Sequence, residues 1–568
     1  MDALKTYEKW IACADEKTAA ELSALTDQNE IKDRFYRELE FGTGGLRGVM
    51  AAGTNRMNSY VIGKATQGLA EYIKEQGIDA RRRGVVIAHD SRNHSREFAE
   101  HTAAVLQANS ITVYLFDSLR PTPMLSFAVR YLHAFAGIVI TASHNPAEYN
   151  GYKVYFEDGG QLPPSVSDRI IHYIDRIDPF TVSVEPPETP EEGIKFQLIG
   201  KEVDDAYIAE VKKQAVHPEL SKTGYRLIYT PLHGSGNIPV RRILKETGFD
   251  QVLLVQEQVE PDGNFPTVKS PNPENKECFT RAIALAKENS CDLIIGTDPD
   301  SDRVGIVVRD QSGDYITMTG NQVGALLTNY MLSQKQAMGT LPPNGAVVST
   351  IVTTGMLKSI CQKYGVTFFQ TLTGFKFIGE KIHEFEQENS YTFLLGLEES
   401  YGYLAGTYAR DKDAVVASML IAEMAVYYHQ QGKTLYDVMQ DLYQEYGYYL
   451  EETVSITLKG MDGAEKIQAL MSQFRNAPFN SLGDYEICGH NDYLTGKGIQ
   501  NGTSYSLSLP QSNVLEFLFA NGSTFVIRPS GTEPKIKLYY MIRDKDANAA
   551  QAMLHAVQAE MQSILGQA

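Results

Sequence analysis

The sequence predicts an α/β protein built from three similar domains with mixed or parallel sheets, followed by a C-terminal α+β domain. Three observations support this prediction. The chain has 568 residues, which is too long for one core, since single domains rarely exceed about 300 residues. Short aliphatic runs alternate with amphipathic segments through most of the chain, and this pattern changes near residue 449.

Eight candidate strands are rich in β-branched and aliphatic residues and end at turn-forming residues. They cover residues 84–90, 112–118, 136–143, 225–232, 251–258, 291–298, 346–354 and 391–399. Amphipathic segments such as 95–110 and 279–290 lie between them and are typical of surface helices. The alternation predicts βαβ units around mostly parallel sheets.

Three breaks predict the domain limits. A proline- and acid-rich segment at 178–196 indicates a surface loop or linker, and two further breaks fall near 311–322 and 446–455. We therefore expect domains at residues 1–204, 205–317, 318–448 and 449–568. In the last of these, Asn521 and Gly522 separate two strand-like runs, which predicts a hairpin, and a terminal helix is expected at 546–565.

Composition excludes several classes of protein. The net charge of -18 argues against a nucleic-acid binder, which would normally carry a basic footprint. No apolar run is long enough to span a membrane, and the charged N-terminus does not resemble a signal peptide. The five cysteines are widely spaced without a CxxC pair, which predicts reduced thiols and no cysteine zinc site. We expect a cytoplasmic protein.

The most specific chemical motif is TDPDSDR at 297–303, which follows an apolar run. Its alternating Asp298, Asp300 and Asp302 can direct three carboxylates to one point, and hard oxygen ligands suit Mg²⁺. An EF-hand loop is excluded because arginines stand where glycine and glutamate are required. A solvated acidic turn is the alternative, but clustered carboxylates repel one another and favour a cation.

TASHNP at 141–146 follows another apolar run and places a serine beside a histidine. It lacks the G-x-S-x-G pattern of the α/β hydrolases. Neighbours on an extended chain face opposite sides, so His144 need not contact the Ser143 hydroxyl. The alternative is a plain loop closed by Pro146, although Lys153 downstream could supply a cation.

Four further motifs are weaker when taken singly. RPSGTEPKIK at 528–537 combines an arginine with small hydroxyls in a loop suited to phosphate, although it could be an ordinary turn. GLEESYGY at 396–403 could bind a polyol or form a capped turn. FGTGGLRG at 41–48 could bind an anion, and YARDKDA at 408–414 could equally be a solvated charged face.

Together, TASHNP, DPDSDR, GLEES and RPSGTEPK resemble, in this order, the four signature loops of the α-D-phosphohexomutase superfamily. FGTGGLRG, TPLHGSG at 230–236, LTGFKFIG at 372–379 and RDKDA at 410–414 support the resemblance, which spans about residues 38 to 540. The sequence is most similar to the bacterial phosphoglucomutase branch related to eukaryotic phosphoglucomutase-2 and phosphopentomutase. The resemblance implies four domains around a central cleft.

The resemblance also implies roles for single residues. Ser143 would carry a phosphoryl group and complete a Mg²⁺ site with the three aspartates. Lys153, His144 and Arg47 would be candidates for proton transfer. The residues expected to bind the substrate are Thr43, Arg303, Thr373, Gly374, Glu398, Ser400, Lys412, Arg528, Ser530, Gly531 and Thr532.

The implied activity is interconversion of α-D-glucose 1-phosphate and glucose 6-phosphate, with glucose 1,6-bisphosphate as intermediate and activator. Phosphomannomutase or phosphopentomutase activity by the same mechanism is the nearest alternative. Tyr401 and Gly402 stand where many bacterial relatives carry Gly-His, which removes one candidate acid/base and weighs against mannose. We expect a monomer or weak homodimer.

Two other classes compete with a mutase. A Mg²⁺-dependent phosphatase would release phosphate to water, but the haloacid-dehalogenase pattern requires Thr or Ser where Asp302 stands. A silent sugar-phosphate-binding paralogue is disfavoured because Ser143 and all three aspartates are intact.

Overall fold

A computed structural model describes residues 2–42, 45–189, 191–457, 463–529 and 535–566. Its helices are α1 Ala3–Cys13, α2 Glu16–Ser23, α3 Gln28–Phe35, α4 Ser59–Glu75, α5 Ile78–Arg83, α6 Ser95–Ala108, α7 Thr122–Tyr131, α8 Pro164–Ile174, α9 Lys201–Lys212, α10 Asn237–Glu246, α11 Thr280–Asn289, α12 Gly320–Ala337, α13 Met356–Tyr364, α14 Phe375–Glu388, α15 Ala414–His429, α16 Leu435–Tyr446, α17 Gly463–Asn476 and α18 Ala547–Gly566.

The strands form four sheets. They are β1 Leu46–Val49, β2 Val85–His89, β3 Val113–Phe116, β4 Ala136–Ile140, β5 Tyr149–Phe156, β6 Phe196–Ile199, β7 Arg226–Thr230, β8 Gln251–Leu254, β9 Leu293–Thr297, β10 Val304–Arg309, β11 Tyr315–Thr317, β12 Gly345–Thr350, β13 Thr367–Thr371, β14 Thr392–Glu398, β15 Gly402–Ala405, β16 Tyr448–Thr457, β17 Ser481–Leu482, β18 Tyr485–Asp492, β19 Lys497–Gln500, β20 Thr503–Ser506, β21 Leu515–Phe519, β22 Thr524–Pro529 and β23 Lys535–Asp544.

The first three helices each begin after an aspartate that caps them. The carboxylates of Asp2, Asp15 and Asp27 accept backbone N–H bonds from the first turn of α1, α2 and α3. Such caps satisfy donors that a helix leaves unpaired at its start. Trp10 and Phe35 join these helices in a small apolar cluster.

The first three sheets repeat one strand order. Their common parts are β3-β2-β4-β5, β8-β7-β9-β10 and β13-β12-β14-β15. In each, the first three strands are parallel and the fourth pairs antiparallel with the third. The predicted mixed sheets are therefore confirmed, and the same kind of hairpin, from third to fourth strand, recurs three times.

The fourth sheet is different, because its paired strands run antiparallel in the order β16-β23-β22-β21-β18-β19-β20. The predicted hairpin at Asn521-Gly522 joins β21 to β22, and the predicted terminal helix is α18. All eight strands expected from the sequence lie on observed strands. The fourth sheet begins at Tyr448, while the predicted domain limits themselves stay predictions.

One apolar core runs through the first three sheets. It includes Val86 and Val139 of the first, Tyr229 and Ile295 of the second, and Val347 of the third, all buried. The fourth sheet has its own core against α17 and α18. A smaller cluster, including Ile351, Val352 and Tyr539, joins the third sheet to the fourth.

Helix α15 belongs to the third sheet's domain but packs against α10, β9 and β10 of the second. Its buried Glu423 accepts hydrogen bonds from the backbone N–H of Val216 at 2.8 Å, that of His217 at 3.1 Å, and the Tyr330 hydroxyl at 3.1 Å. Lys222 Nζ lies 3.8 Å from its other oxygen, Oε2, and is also buried. This carboxylate ties the 216–222 segment to α15.

Among the described residues no helix is both long and apolar enough to cross a membrane.

We predict that Glu423→Ala lowers the free energy of unfolding by about 3 to 5 kcal/mol, because it leaves Lys222 buried without its partner. Urea denaturation followed by tryptophan fluorescence and circular dichroism would measure the loss. The matched control is Glu210→Ala, which removes only the more exposed pair with Lys213 and should change the value by less than about 0.5 kcal/mol. Equal losses in both variants would contradict this account.

Candidate active site

Three loops between third and fourth strands carry the predicted chemistry. We name them the serine loop (141–146), the aspartate loop (297–303) and the glutamate loop (396–403). The serine loop follows β4, the aspartate loop joins β9 to β10, and the glutamate loop joins β14 to β15. Side-chain contacts connect these loops. The Ser143 hydroxyl contacts Asp298, and Lys412 lies against both Asp302 and Glu398.

The aspartate loop gathers three buried carboxylates. One oxygen from each of Asp298, Asp300 and Asp302 lies within 4.8 Å of the others. Oδ1 of Asp298 accepts the backbone N–H of Asp302 at 3.2 Å and of Arg303 at 3.0 Å, which turns the loop back on itself. Oδ1 of Asp300 and Oδ1 of Asp302 are buried and accept no hydrogen bond among the described residues. Oxygens left in this state fit a divalent cation such as Mg²⁺.

Two lysines from other domains compensate these charges. Lys153 Nζ, on β5, lies 2.8 Å from Asp300 Oδ2 and 3.2 Å from Asp302 Oδ2. Lys412 Nζ lies 3.2 Å from Asp302 Oδ2 and 3.9 Å from Glu398 Oε1. Burial alone would lower the pKa of Lys153, but the two carboxylates outweigh it and raise that pKa. Lys153 is therefore held as a cation.

The carboxyl of Asp298 has a raised pKa because it is buried beside two other carboxylates. Burial raises its pKa well above the ordinary value, and the charges of Asp300 and Asp302 raise it further. The Ser143 hydroxyl donates to Asp298 Oδ2 at 2.7 Å. The serine oxygen thus lies directly against the carboxylate cluster, where it could share a cation with the aspartates.

Ser143 has a left-handed backbone, with φ of 52°. This region costs a non-glycine residue about 1 to 2 kcal/mol, so the surrounding structure must hold it. The serine loop is consequently not extended, and His144 Nδ1 lies 3.2 Å from Ser143 Oγ. The inference that these neighbours need not touch assumed an extended backbone, which Ser143 does not have.

His144 is held neutral. Burial lowers its pKa well below the ordinary value, and the charges of Arg303 and Arg47 lower it further. Its backbone carbonyl accepts the Ser270 hydroxyl at 2.6 Å, a contact from the second domain. A neutral imidazole beside Ser143 can accept a hydrogen bond without adding charge to the cluster.

Arg47 lies on β1 beside the serine loop and is exposed. Its Nη1 donates to Asn145 Oδ1 at 3.1 Å. Gly45, just before it, has φ of 110°, and a Cβ there would lie 1.8 Å from the Tyr152 carbonyl oxygen. Only glycine fits that position, so Gly45 allows the arginine-bearing segment to approach β5.

Arg303 is the last residue of the aspartate loop, and its charge interacts with Glu398 of the glutamate loop. Its Nη1 donates to Glu274 Oε1 at 2.6 Å, and its Nε lies 3.8 Å from Asp302 Oδ1. Burial would lower its pKa, but Glu274 and Asp302 raise it, so the guanidinium stays charged.

The glutamate loop supplies hydrogen-bonding groups on the third domain. Ser400 Oγ donates to Glu398 Oε1 at 2.9 Å. Thr373 Oγ1 is buried and has no hydrogen-bond partner among the described residues, and Gly374 with φ of 119° begins α14. Lys412 Nζ lies 3.9 Å from Glu398 Oε1 and 5.7 Å from the centroid of the Phe375 ring, so it connects the glutamate loop to the start of α14.

The predicted phosphate loop is only partly described. Arg528 lies on β22 and its Nη1 donates to the Tyr539 hydroxyl at 3.4 Å. Burial lowers the pKa of Lys537, and so do the charges of Arg528 and Arg303, which places Lys537 near both arginines. Four of the predicted residues lie outside the described residues, namely Thr43, Ser530, Gly531 and Thr532.

Sequence reasoning missed several residues that hold these groups. Thr122, at the start of α7, donates its hydroxyl to Asp300 Oδ2 at 2.9 Å. Asp411 accepts the Tyr155 hydroxyl at 2.6 Å and the Lys412 ammonium at 3.2 Å. No local sequence pattern predicts the role of Thr122. Asp411, in contrast, lies inside the RDKDA motif, next to the predicted Lys412.

Comparison with known proteins gives four consecutive matches to one family. The models described as phosphoglucomutase/phosphomannomutase alpha/beta/alpha domains I, II and III match residues 38–181, 205–313 and 319–446. The model of the family's C-terminal domain matches residues 465–556.

Curated relatives are similar over nearly the whole chain. A phosphoglucomutase of Staphylococcus epidermidis is 38% identical over 533 residues, which is 93% of this chain and 95% of that protein. A phosphoglucomutase of Staphylococcus aureus is 37% identical over 553 residues, which is 97% of this chain and 98% of that protein.

Solved structures share the fold at lower identity. A putative phosphomannomutase of Thermus thermophilus has a TM-score of 0.68 and 21% identity, covering 93% of this chain and 99% of that one. The open form of parafusin, a phosphoglucomutase of Paramecium, has a TM-score of 0.68 and 18% identity, covering 92% and 94%.

We predict that Asp300→Asn weakens Mn²⁺ or Mg²⁺ binding at least about 100-fold, because even outer-shell changes can cost that much. Titration calorimetry, or electron paramagnetic resonance with Mn²⁺, would measure the affinity. The matched control is Asp310→Asn, which alters an exposed carboxylate on the β10–β11 turn and should leave binding unchanged. Unaltered affinity in Asp300→Asn would exclude the aspartate loop as the metal site.

Proposed function

The chain belongs to the phosphoglucomutase/phosphomannomutase family, and we propose that it interconverts α-D-glucose 1-phosphate and glucose 6-phosphate through a phosphorylated Ser143. The observation that best supports this is the buried Ser143 hydroxyl, 2.7 Å from a carboxylate of the aspartate loop. A serine at a cation site with lysines around it suits phosphoryl transfer, which depends mainly on positioning and charge stabilisation.

Asp298, Asp300, Asp302 and the Ser143 oxygen would hold the Mg²⁺. When bound, the ion would neutralise negative charge on a phosphoryl group at Ser143. Lys153 and Lys412 already lie against two of the aspartates as cations. They would add positive charge on the side of the cluster that the ion does not occupy.

In the first half of the proposed reaction, a hydroxyl of the sugar phosphate attacks the phosphorus on Ser143. A new P–O bond to the sugar forms while the bond to Ser143 Oγ breaks; the sugar hydroxyl gives its proton to a base, and the released serine oxygen takes up a proton. The product is glucose 1,6-bisphosphate, which also acts as the activator that phosphorylates free Ser143. In the second half, Ser143 Oγ loses its proton and attacks the other phosphorus, the P–O bond to the sugar breaks, and the sugar oxygen takes up the proton.

His144 and Arg47 are the proposed partners of the serine loop in this exchange. Neutral His144 has its Nδ1 3.2 Å from Ser143 Oγ, close enough to exchange a proton with that oxygen, while the hydroxyl itself donates to Asp298 when no phosphoryl group is present. Arg47 would neutralise a phosphoryl oxygen at the open side of the loop. Lys153 has a raised pKa and is already protonated, so it would serve as a proton donor or a fixed positive charge and not as the base.

The phosphate that is not transferred would bind Arg528 together with Ser530, Gly531 and Thr532. Thr43 would contact the substrate near Arg47. Glu398 and Ser400 would bind sugar hydroxyls. The Thr373 hydroxyl, which has no hydrogen-bond partner within the described residues, would bind the same side of the ligand together with Gly374.

Glucose is the proposed sugar because the Staphylococcus relatives are phosphoglucomutases. Mannose and pentose phosphates remain the alternatives that share the mechanism. We also propose a cytoplasmic location, which the five free thiols support, and a monomer or weak homodimer.

We predict that Ser143→Ala lowers turnover of glucose 1-phosphate by at least about 10⁴-fold, since loss of a covalent nucleophile leaves only binding effects. A coupled assay with Mg²⁺ and a trace of glucose 1,6-bisphosphate measures the rate. Intact-mass analysis should show one phosphoryl group on the unaltered protein and none on the variant. Ser118→Ala, at an exposed serine of the same domain, is the control and should behave as the unaltered protein.

A substrate panel tests the choice of sugar. We expect kcat/KM for glucose 1-phosphate to exceed the values for mannose 1-phosphate and ribose 1-phosphate at least about tenfold, because one lost hydrogen bond costs up to about 1.5 kcal/mol. A higher value for ribose 1-phosphate would reassign the protein to pentose phosphates while leaving the role of Ser143 intact.

A further inference from the structure

We propose that Arg92 is the positioning residue of the serine loop, holding Ser143 in the left-handed conformation that places its hydroxyl against Asp298. Arg92 lies in the loop after β2 and is buried. Among the described residues, Arg92 forms no hydrogen bond with the aspartate loop or with the glutamate loop. The inference rests on the proposed function, since it concerns how the nucleophile of that reaction is aimed.

The guanidinium of Arg92 binds four backbone carbonyls of residues 143–149. Its Nη2 donates to the carbonyl of Ser143 at 2.6 Å and also to that of Asn145. Its Nη1 donates to the carbonyls of Pro146 at 2.8 Å and Tyr149 at 3.0 Å. The two terminal nitrogens carry four N–H groups, so each bond to a carbonyl can use one of them.

This contact acts on the strained residue itself. Ser143 has φ of 52°, and its own carbonyl is one of the four that Arg92 binds. A serine released from this contact would relax toward the common backbone regions, because the left-handed region is unfavourable for it. The hydroxyl that lies 2.7 Å from Asp298 would then move away.

Arg92 is itself fixed from two further directions. Asp90 Oδ1 accepts the Arg92 backbone N–H at 2.9 Å, and Asp90 Oδ2 lies 3.4 Å from Arg92 Nε. The Phe265 ring, from the second domain, lies with its centroid 5.0 Å from the guanidinium carbon. Close by, Asn93 Nδ2 donates to Asn264 Oδ1 at 2.9 Å. The second domain therefore supports the arginine that supports the serine loop.

Lysine could not replace this arrangement. An ammonium has three N–H donors on one nitrogen, whereas arginine presents a planar fork with donors on separate nitrogens. A lysine at position 92 could keep the charge next to Asp90 and bind one or two carbonyls. It could not reach four carbonyls spread over residues 143–149, so the loop would loosen while the buried charge remained paired.

The test compares Arg92→Lys with the unaltered protein. We expect kcat for glucose 1-phosphate to fall about 100-fold, the cost of displacing a reacting group by about 1 Å. KM should stay within about threefold, because Arg92 forms no hydrogen bond or ion pair with a proposed sugar-binding residue in the described part of the chain. Phosphorylation of Ser143 by glucose 1,6-bisphosphate, followed by intact mass, should slow by a similar factor.

Hydrogen exchange gives a readout that needs no activity. Amides of residues 141–149 should exchange faster in Arg92→Lys, while those of β9 and β14 keep their protection. The control is Arg96→Lys on the neighbouring helix, whose guanidinium binds Glu100 and the Asp117 carbonyl, and it should change neither rate nor exchange.

The outcomes separate the two proposals. Failure of the unaltered protein to convert glucose 1-phosphate would count against the proposed function, and exchange at 141–149 would still test Arg92. A folded Arg92→Lys with unchanged kcat and unchanged exchange would overturn the positioning role.

If Arg92→Lys fails to fold, Phe265→Leu provides the second variant. It removes only the ring beside the guanidinium and should lower kcat about fivefold with KM unchanged. An unchanged kcat in that variant, with Arg92→Lys unfolded, would reduce Arg92 to a residue of general stability and contradict the proposal.

Discussion

Burial of three carboxylates in one short loop is the constraint on which the rest of the structure depends. Asp298, Asp300 and Asp302 repel one another, and burial in a protein interior strengthens that repulsion. Their own domain does not supply the lysines that compensate them, since Lys153 comes from the first domain and Lys412 from the third. The negative charges of the aspartate loop are therefore compensated by lysines only when the first and third domains contact the second.

The repeated strand order explains how this meeting is possible. In each of the first three sheets the functional loop joins the third strand to an antiparallel fourth. The serine, aspartate and glutamate loops therefore occupy the same topological position in their sheets. A common apolar core fixes the three sheets relative to one another. Such a core is rigid because interiors are closely packed, and it holds ion-pair distances near 3 Å between separate domains.

Much of this could be predicted from the sequence, because the signals were local. Aliphatic runs predicted eight strands, each of which lies on an observed strand. The spacing of Asp298, Asp300 and Asp302 indicated a cation site. What failed was whatever depends on distant contacts or on backbone conformation. The left-handed Ser143, which brings His144 to its hydroxyl, is bound by Arg92 some fifty residues earlier, and no period or propensity reports such a contact.

The same reasoning explains how an acidic protein can serve an anionic substrate. The net charge of -18 is a sum over the whole chain, and water and salt screen the exposed charges within about 10 Å. Arg303, Lys412 and Lys537 are instead grouped beside the aspartate and glutamate loops, where burial weakens screening. A divalent cation on the aspartates would make the balance of this region more positive still. Local arrangement of charge, and not its total, therefore decides what the site can attract.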